Sequence, residues 1–215
     1  MKLYGYFRSS ATYRVRIALN LKGLTFDSAV VDLRAPASAQ HTPEFRAVNA
    51  QGLIPVLKDG AYTLTQSLAI IEYLEETHPE PPLLPRPSVP RAQVRALALA
   101  IACDVHPLNN LRVLNYLRDP LGRDDAAINA WYAHWIAEGF GALEQDARRL
   151  SGDGRHLYGS SVTLADVCLV PQMYNAHRYK VDVTPYATLR AICAHLEALP
   201  AFARAAPQAQ PDAAS

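Results

Sequence analysis

The chain has 215 residues, a mass of 23.6 kDa and a net charge of +1, from 21 Lys and Arg against 20 Asp and Glu. That balance argues against an electrostatically driven nucleic-acid binder, which carries a basic excess. The longest apolar run, Ala96 to Cys103, falls far short of the ~20 residues of a membrane span, and Met1-Lys2-Leu3-Tyr4 does not read as a signal peptide.

In chain order, Lys2 to Phe7 is short and aromatic, a strand pattern. Thr12 to Lys22 has helical spacing, Phe26 to Val31 reads as a second strand, and Pro43 to Val48 as a short helix capped by Thr42. Ile54 to Leu57 and Tyr62 to Leu64 are strands about an Asp59-Gly60 hairpin turn. Ser67 to Thr77 is an amphipathic helix. The order β-α-β-α-β-β-α predicts a mixed sheet covered by helices.

Six prolines then fall within twelve residues: Pro79, Pro81, Pro82, Pro85, Pro87 and Pro90. This stretch is expected to be a stiff linker. Alanine changes across it, from 10 in residues 1–90 to 25 in residues 91–215, so the second part is expected to be helical. Helical patterns run over 91–118, 124–150, 163–177 and 185–197. Pro107 is expected to kink the first by removing the bond to the Cys103 carbonyl. Thr163-x-x-Asp166 is a capping box opening the third, which makes Asp166 a structural residue, and Thr184-Pro185 opens the fourth. The predicted domains are 1–80, a linker at 81–90, a helical domain at 91–207 and a loose tail at 208–215.

Cys103, Cys168 and Cys193 are expected to be buried, reduced thiols of a cytosolic protein. The seven histidines lack the paired spacing of a zinc site. Neither GxGxxG nor a Walker loop occurs.

Three clusters have the residue types for chemistry. Arg8-Ser9-Ser10 lies between the first strand and the first helix, where hydroxyls and amides either cap the helix or bind an anion. The absence of CxxC removes the nucleophile for disulfide exchange. Leu53-Ile54-Pro55-Val56-Leu57 puts a proline at the start of an inner strand. Either a cis bond frees the Ile54 backbone to pair with an extended peptide, or this is an edge strand. Gln66-Ser67 opens an apolar helix, as a carboxylate site or as a cap alone.

On this β-α-β-α-β-β-α unit, followed by a proline-rich linker and a helical unit, the run Arg8-Ser9-Ser10-Ala11-Thr12-Tyr13-Arg14-Val15-Arg16-Ile17-Ala18 and the segment Gln66 to Glu76 resemble the zeta class of the glutathione transferase superfamily. The resemblance extends through Pro107-Leu108-Asn109-Asn110 and Val181 to Tyr186. It implies a thioredoxin-like N-terminal domain, a C-terminal helical bundle, a cytoplasmic homodimer, glutathione as cofactor and a small dicarboxylate substrate. The implied reaction is glutathione-dependent cis–trans isomerisation of maleylacetoacetate, with maleylpyruvate, or general conjugation, as the alternatives.

Residue by residue, the resemblance assigns thiolate activation to Ser9 or Ser10. It places Gln66 and Ser67 at the γ-glutamyl carboxylate, Ile54 beside Pro55 at the cysteinyl part, and Gln51 at the glycyl end. His106 and Asn110, at i and i+4, would share a helix face near glutathione. Arg8, Arg112 and Arg178 would hold the substrate's carboxylates. Ala11 stands where many zeta members carry Cys, which leaves the hydroxyls as thiolate partners.

Overall fold

The structure is a computed structural model that describes residues 1–34 and 38–214. It divides into two compact units, Met1–Pro82 with Leu199–Ser215, and Leu83–Ala198. In the first, four strands, β1 (Lys2–Gly5), β2 (Asp27–Val30), β3 (Val56–Asp59) and β4 (Tyr62–Thr65), form one sheet in the order β2-β1-β3-β4. β1 and β2 are parallel, joined through α1 (Ser10–Leu21). β3 is antiparallel to β1 and to β4. With α2 (Pro43–Val48) and α3 (Ser67–Thr77), this is the expected element order of a thioredoxin-like unit. The hairpin turn is Gly60-Ala61, one residue later than expected, because Asp59 still pairs with Tyr62; Gly60 supplies its positive φ of 55°.

Side chains alternate across the sheet. Tyr4 and Val56, paired in register, join Val31, Phe45 and Val48 in one cluster, so α2 covers that face. Leu3 and Leu57, one residue along, are buried on the other. Gly5 shares the Leu3 face and meets the Thr12 side chain there; any Cβ at residue 5 would collide with it. α1 therefore reaches the sheet closely only because residue 5 is glycine.

In the second unit, α4 (Ser88–Leu99) continues as a π-helix over Ala100–Val105, with the His106 amide bonded to the Ile101 carbonyl. α5 (Leu111–Arg118) follows after a turn. The single kinked helix expected over 91–118 is thus two helices. Pro107 offers no amide, the wide turn has already shifted the ladder, and Asn110 restarts it by accepting from the Arg112 amide at 3.1 Å. The helix also starts earlier, at Ser88, inside the stretch read as linker.

α6 (Asp125–Leu150) is capped by Asp124. α7 (Leu164–Arg178) opens with the expected capping box of Thr163 and Asp166. Asp166 accepts from the Thr163 and Leu157 amides at 2.8 and 2.7 Å, while burial pushes its carboxyl upward in pKa against those bonds. Residues 164–173 are buried throughout, so the helix runs unbroken through Pro171. α8 (Ala187–Glu197) starts two residues later than expected. Its first amides are capped from afar: the Glu144 carboxylate of α6 accepts from Thr188 and Leu189 at 3.0 Å each.

Two further expectations change. Cys168 and Cys193 are buried, but Cys103 is exposed: Ile101 and Val105 turn inward and leave residue 103 on the outer side of the π-helix. The C-terminal residues belong to neither the helical unit nor a loose tail. α9 (Pro200–Ala205) packs on α1, with Asn20 Nδ2 donating to the Ala201 carbonyl at 2.9 Å. Short 3-10 turns follow at Pro207–Ala209 and Pro211–Ala214, and Asp212 accepts from the Phe7 amide. The last residue of the expected tail, Ser215, lies outside the described residues.

Candidate active site

The sheet register assembles the site. Tyr4 pairs with Val56, and Val56 with Thr65, so the end of β1, the start of β3 and the end of β4 form one row. Tyr6–Ser9, Ile54-Pro55 and Gln66-Ser67 therefore all emerge at the same end of the sheet. Adjacent strands are about 4.8 Å apart, which puts the β1 and β4 exits about 10 Å apart.

At the β1 exit, Ser9 is the N-cap of α1, and its hydroxyl oxygen accepts from the Thr12 amide at 3.2 Å. Its O–H remains available to donate. Ser10 lies inside the helix and is buried, 5% exposed, whereas Ser9 is half-buried. Arg8 donates from Nη2 to the Tyr6 hydroxyl at 3.0 Å and lies 5.0 Å from the Phe7 ring centroid. Its Nε is buried with no hydrogen-bond partner. Nearby, Arg34 hydrogen-bonds Asp32 and holds that carboxyl below the usual carboxylate range, with the Arg8 charge adding to the effect.

At the β3 entrance, the Ile54–Pro55 bond is cis and Ile54 lies two residues ahead of the first paired residue, Val56. At the β4 exit, Gln66 precedes α3 with φ 68° and ψ 117°, a conformation that side chains other than glycine rarely adopt. Its Nε2 donates to Gln51 Oε1 at 3.1 Å. Ser67 is buried in the first turn of α3, and the guanidinium of Arg14, itself 1% exposed, donates to its Oγ at 3.4 Å.

In the helical unit, His106 ends the π-helix and Asn110 caps α5 across an intervening turn, so the two do not share a helix face. Trp131 holds that turn through a 2.8 Å bond to the Leu108 carbonyl. Arg112 is exposed in the first turn of α5. Arg178 is exposed at the end of α7, 5.0 Å from the ring centroid of Tyr179, and Tyr179 stacks on the buried Tyr132 at 3.7 Å. Burial pushes the Tyr132 hydroxyl far up in pKa.

A family model described as glutathione S-transferase, N-terminal domain, matches residues 3–82. The chain is 55% identical to a probable maleylacetoacetate isomerase of Vibrio cholerae, over 98% of this chain and 97% of that one. The holo structure of a maleylpyruvate isomerase, a bacterial zeta-class glutathione S-transferase, is 49% identical and covers 99% of both chains with a TM-score of 0.96. The chain belongs to the zeta class of the glutathione transferases. A second neighbour is the maleylacetoacetate isomerase of Methylobacterium extorquens AM1, with bound malonate and glutathione; it is 41% identical, covers 99% of both chains and has a TM-score of 0.94.

Within this zeta-class chain, two candidate residues escaped the sequence reading. Arg14 is one: a cation on the buried face of α1, between Tyr13 and Val15, is a signal that could have been noticed. Gln40 is the other, buried with an unpartnered Oε1, and nothing in its neighbourhood of the sequence marks it. Gln51, expected at the glycyl end, accepts a hydrogen bond from Gln66, the side chain assigned to the γ-glutamyl end.

The backbone of Gln66 carries a testable cost. A non-glycine residue held there costs about 1–3 kcal/mol, and glycine gives back about 0.5–1 kcal/mol in chain entropy. Gln66→Gly is expected to hold stability or raise it by about 1 kcal/mol while weakening glutathione binding. Denaturant midpoints and ligand titration measure the two effects; a marked loss of stability would show that the conformation is not strained.

Proposed function

We propose that this chain is a glutathione-dependent cis–trans isomerase that converts maleylacetoacetate to fumarylacetoacetate in aromatic amino-acid catabolism, acting as a cytoplasmic homodimer. The observation that carries the reading is the common exit of Ser9, Ile54 and Gln66-Ser67 at one end of the sheet. The span of about 10 Å between the outer exits suits an extended tripeptide, at about 3.5 Å per residue. The residues there fit glutathione chemically: a hydroxyl with a spare proton and a buried guanidinium behind Ser67.

Bound glutathione supplies a thiolate that adds to the maleyl double bond, permits rotation about the resulting single bond and then departs. Ser9 donates its hydroxyl proton in a hydrogen bond to the sulfur, favouring the ionised form, and the amides at the start of α1 act in the same direction. Ser67 and Gln66, with Arg14 behind and Gln51 beside them, hold the γ-glutamyl carboxylate at the α3 N-terminus. The Ile54 backbone pairs with the cysteinyl part. His106 and Asn110 complete glutathione binding. Arg8, Arg112 and Arg178 take the substrate's carboxylates and stabilise negative charge that develops on it. Glutathione binding thus falls to residues 1–80 with His106 and Asn110, and substrate binding to Arg8 with Arg112 and Arg178.

Support for the remaining assignments is physical. Cys103, Cys168 and Cys193 are reduced, which suits a reducing cytoplasm. Tyr62, on the outer strand β4 and 69% exposed, is an apolar side chain that a second copy would cover. Sedimentation of the purified protein tests the dimer.

Maleylpyruvate is the second reading, favoured by the 49% identity to the maleylpyruvate isomerase structure. Steady-state assay of both substrates, with and without glutathione, decides between them, and equal turnover without glutathione rejects the mechanism. Arg178→Ala is expected to lower kcat/KM about 100-fold with glutathione affinity unchanged. Unchanged turnover would remove Arg178 from the substrate site.

A further inference from the structure

We propose that the C-terminal segment braces the thiol-activating turn, with Asp212 and Arg16 as positioning residues for Ser9. The proposal rests on the glutathione reading above. Only Tyr6 to Ser9 connect β1 to α1, and this turn has one internal backbone bond, from the Ser9 amide to the Tyr6 carbonyl at 3.0 Å. Phe7, two residues before Ser9, has both backbone groups held by side chains. Its N–H donates to Asp212 Oδ2 at 2.9 Å, across 205 residues of sequence. Its carbonyl accepts from Arg16 Nη2 at 2.9 Å.

Arg16 is the junction. The same guanidinium donates from Nε to the Ala205 carbonyl at the end of α9, at 2.9 Å, and from Nη1 to the Tyr6 carbonyl at 3.5 Å. Its side chain is 4% exposed, so the fork is fixed by burial as well as by its partners. The C-terminal segment thus reaches the turn twice: through Asp212 to the Phe7 amide, and through Ala205 and Arg16 to the Phe7 carbonyl. Gln210 anchors the segment by donating to the Arg204 and Ala206 carbonyls, both at 2.9 Å.

A hydrogen bond to sulfur weakens steeply when its donor is displaced or tilted, and a site of this kind tolerates about 0.5 Å of error. Releasing Phe7 frees the turn that carries Ser9, while Gln66 and Ser67 keep their places on α3. The brace therefore controls ionisation of the thiol and turnover, and leaves glutathione affinity largely alone.

The test compares Asp212→Ala, Asp212→Asn and Asp212→Glu with the wild-type protein, reading the pH profile of thiolate ultraviolet absorbance in the glutathione complex alongside kcat, KM and melting temperature. In Asp212→Ala the thiol pKa is expected to rise and kcat to fall about tenfold, with KM for glutathione unchanged. Asn, which keeps an oxygen acceptor without the charge, falls between, and Glu restores the wild-type profile. A chain ending at Ala206 gives the Ala phenotype. A lowered melting temperature with an unmoved pH profile overturns the brace and leaves the glutathione reading standing. A wild-type complex with no thiolate band overturns the glutathione reading, and the brace's catalytic role with it.

Discussion

Ser9→Ala is expected to lower turnover about 100- to 1,000-fold, the usual effect of removing one donor aimed at a reacting anion. The hydroxyl has two capacities, and the structure commits one of them: its oxygen accepts the Thr12 amide, and its proton remains to donate. Alanine removes both. Loss of the cap costs about 1 kcal/mol of stability, which lowers the melting temperature by only a few degrees and does not account for the loss of turnover. With the proposed roles of Gln66 and Ser67 intact, glutathione affinity is expected to be kept. Ser10→Ala is the control: a side chain 5% exposed inside the helix is expected to have little effect on the thiol. Full turnover in Ser9→Ala with loss in Ser10→Ala would reverse the assignment.

The largest stability effect is expected at Lys22. Its ammonium has no solvent-exposed surface and spends all three protons: on Glu75 Oε2 at 2.8 Å, the His78 carbonyl at 2.6 Å and the Pro81 carbonyl at 3.1 Å. This one side chain ties the end of α1 to the end of α3 and to the start of the proline-rich stretch. Lys22→Ala removes the ammonium that the buried Glu75 carboxylate meets at 2.8 Å, and breaking a buried pair costs about 3–5 kcal/mol. For a chain of this length that is a fall of about 10 °C in melting temperature. The double variant Lys22→Met with Glu75→Leu is expected to recover part of the loss, because it removes both buried charges but not the two carbonyls' need for a donor. A single variant that melts with the wild-type protein would show that water replaces the ammonium.

The thioredoxin-like element order was legible because each of its elements has a local signature: alternation in the strands, Thr42-Pro43 ahead of α2, a glycine turn between β3 and β4. The capping box at Thr163 and Asp166 was legible for the same reason, since both partners lie within one turn. What failed was whatever depends on a distant partner. Pro107 divides a helix and Pro171 does not. The local rule treats them alike; burial of α7 on all sides overrides it in one case, and a π-turn has already displaced the ladder in the other. The start of α8 was misjudged because its cap, Glu144, lies more than forty residues away.

The candidate site divides along the same line. Arg8, Ser9, Ile54, Gln66 and Ser67 can be found by reading, since each sits where a strand gives way to a helix or a turn to a strand. The burial of Gln40, the positive φ of Gln66, the hydrogen bond between Gln66 and Gln51 and the hold of Asp212 on Phe7 cannot.

By itself, the sequence determined the class of fold, the proline-rich division of the chain and the residue types offered to an anionic thiol, because these follow from near-neighbour sterics, hydrogen bonding and periodicity. Near-neutral net charge also leaves the attraction of the proposed acidic substrate to locally placed charges rather than to the field of the whole chain. Only the tertiary structure decided that Ser9 caps α1 while Ser10 is buried within it, and that a chain end 205 residues away holds the turn before them. Such pairings are set by the register of the sheet and the packing of helices, and a register is a property of pairs of segments that no single segment encodes.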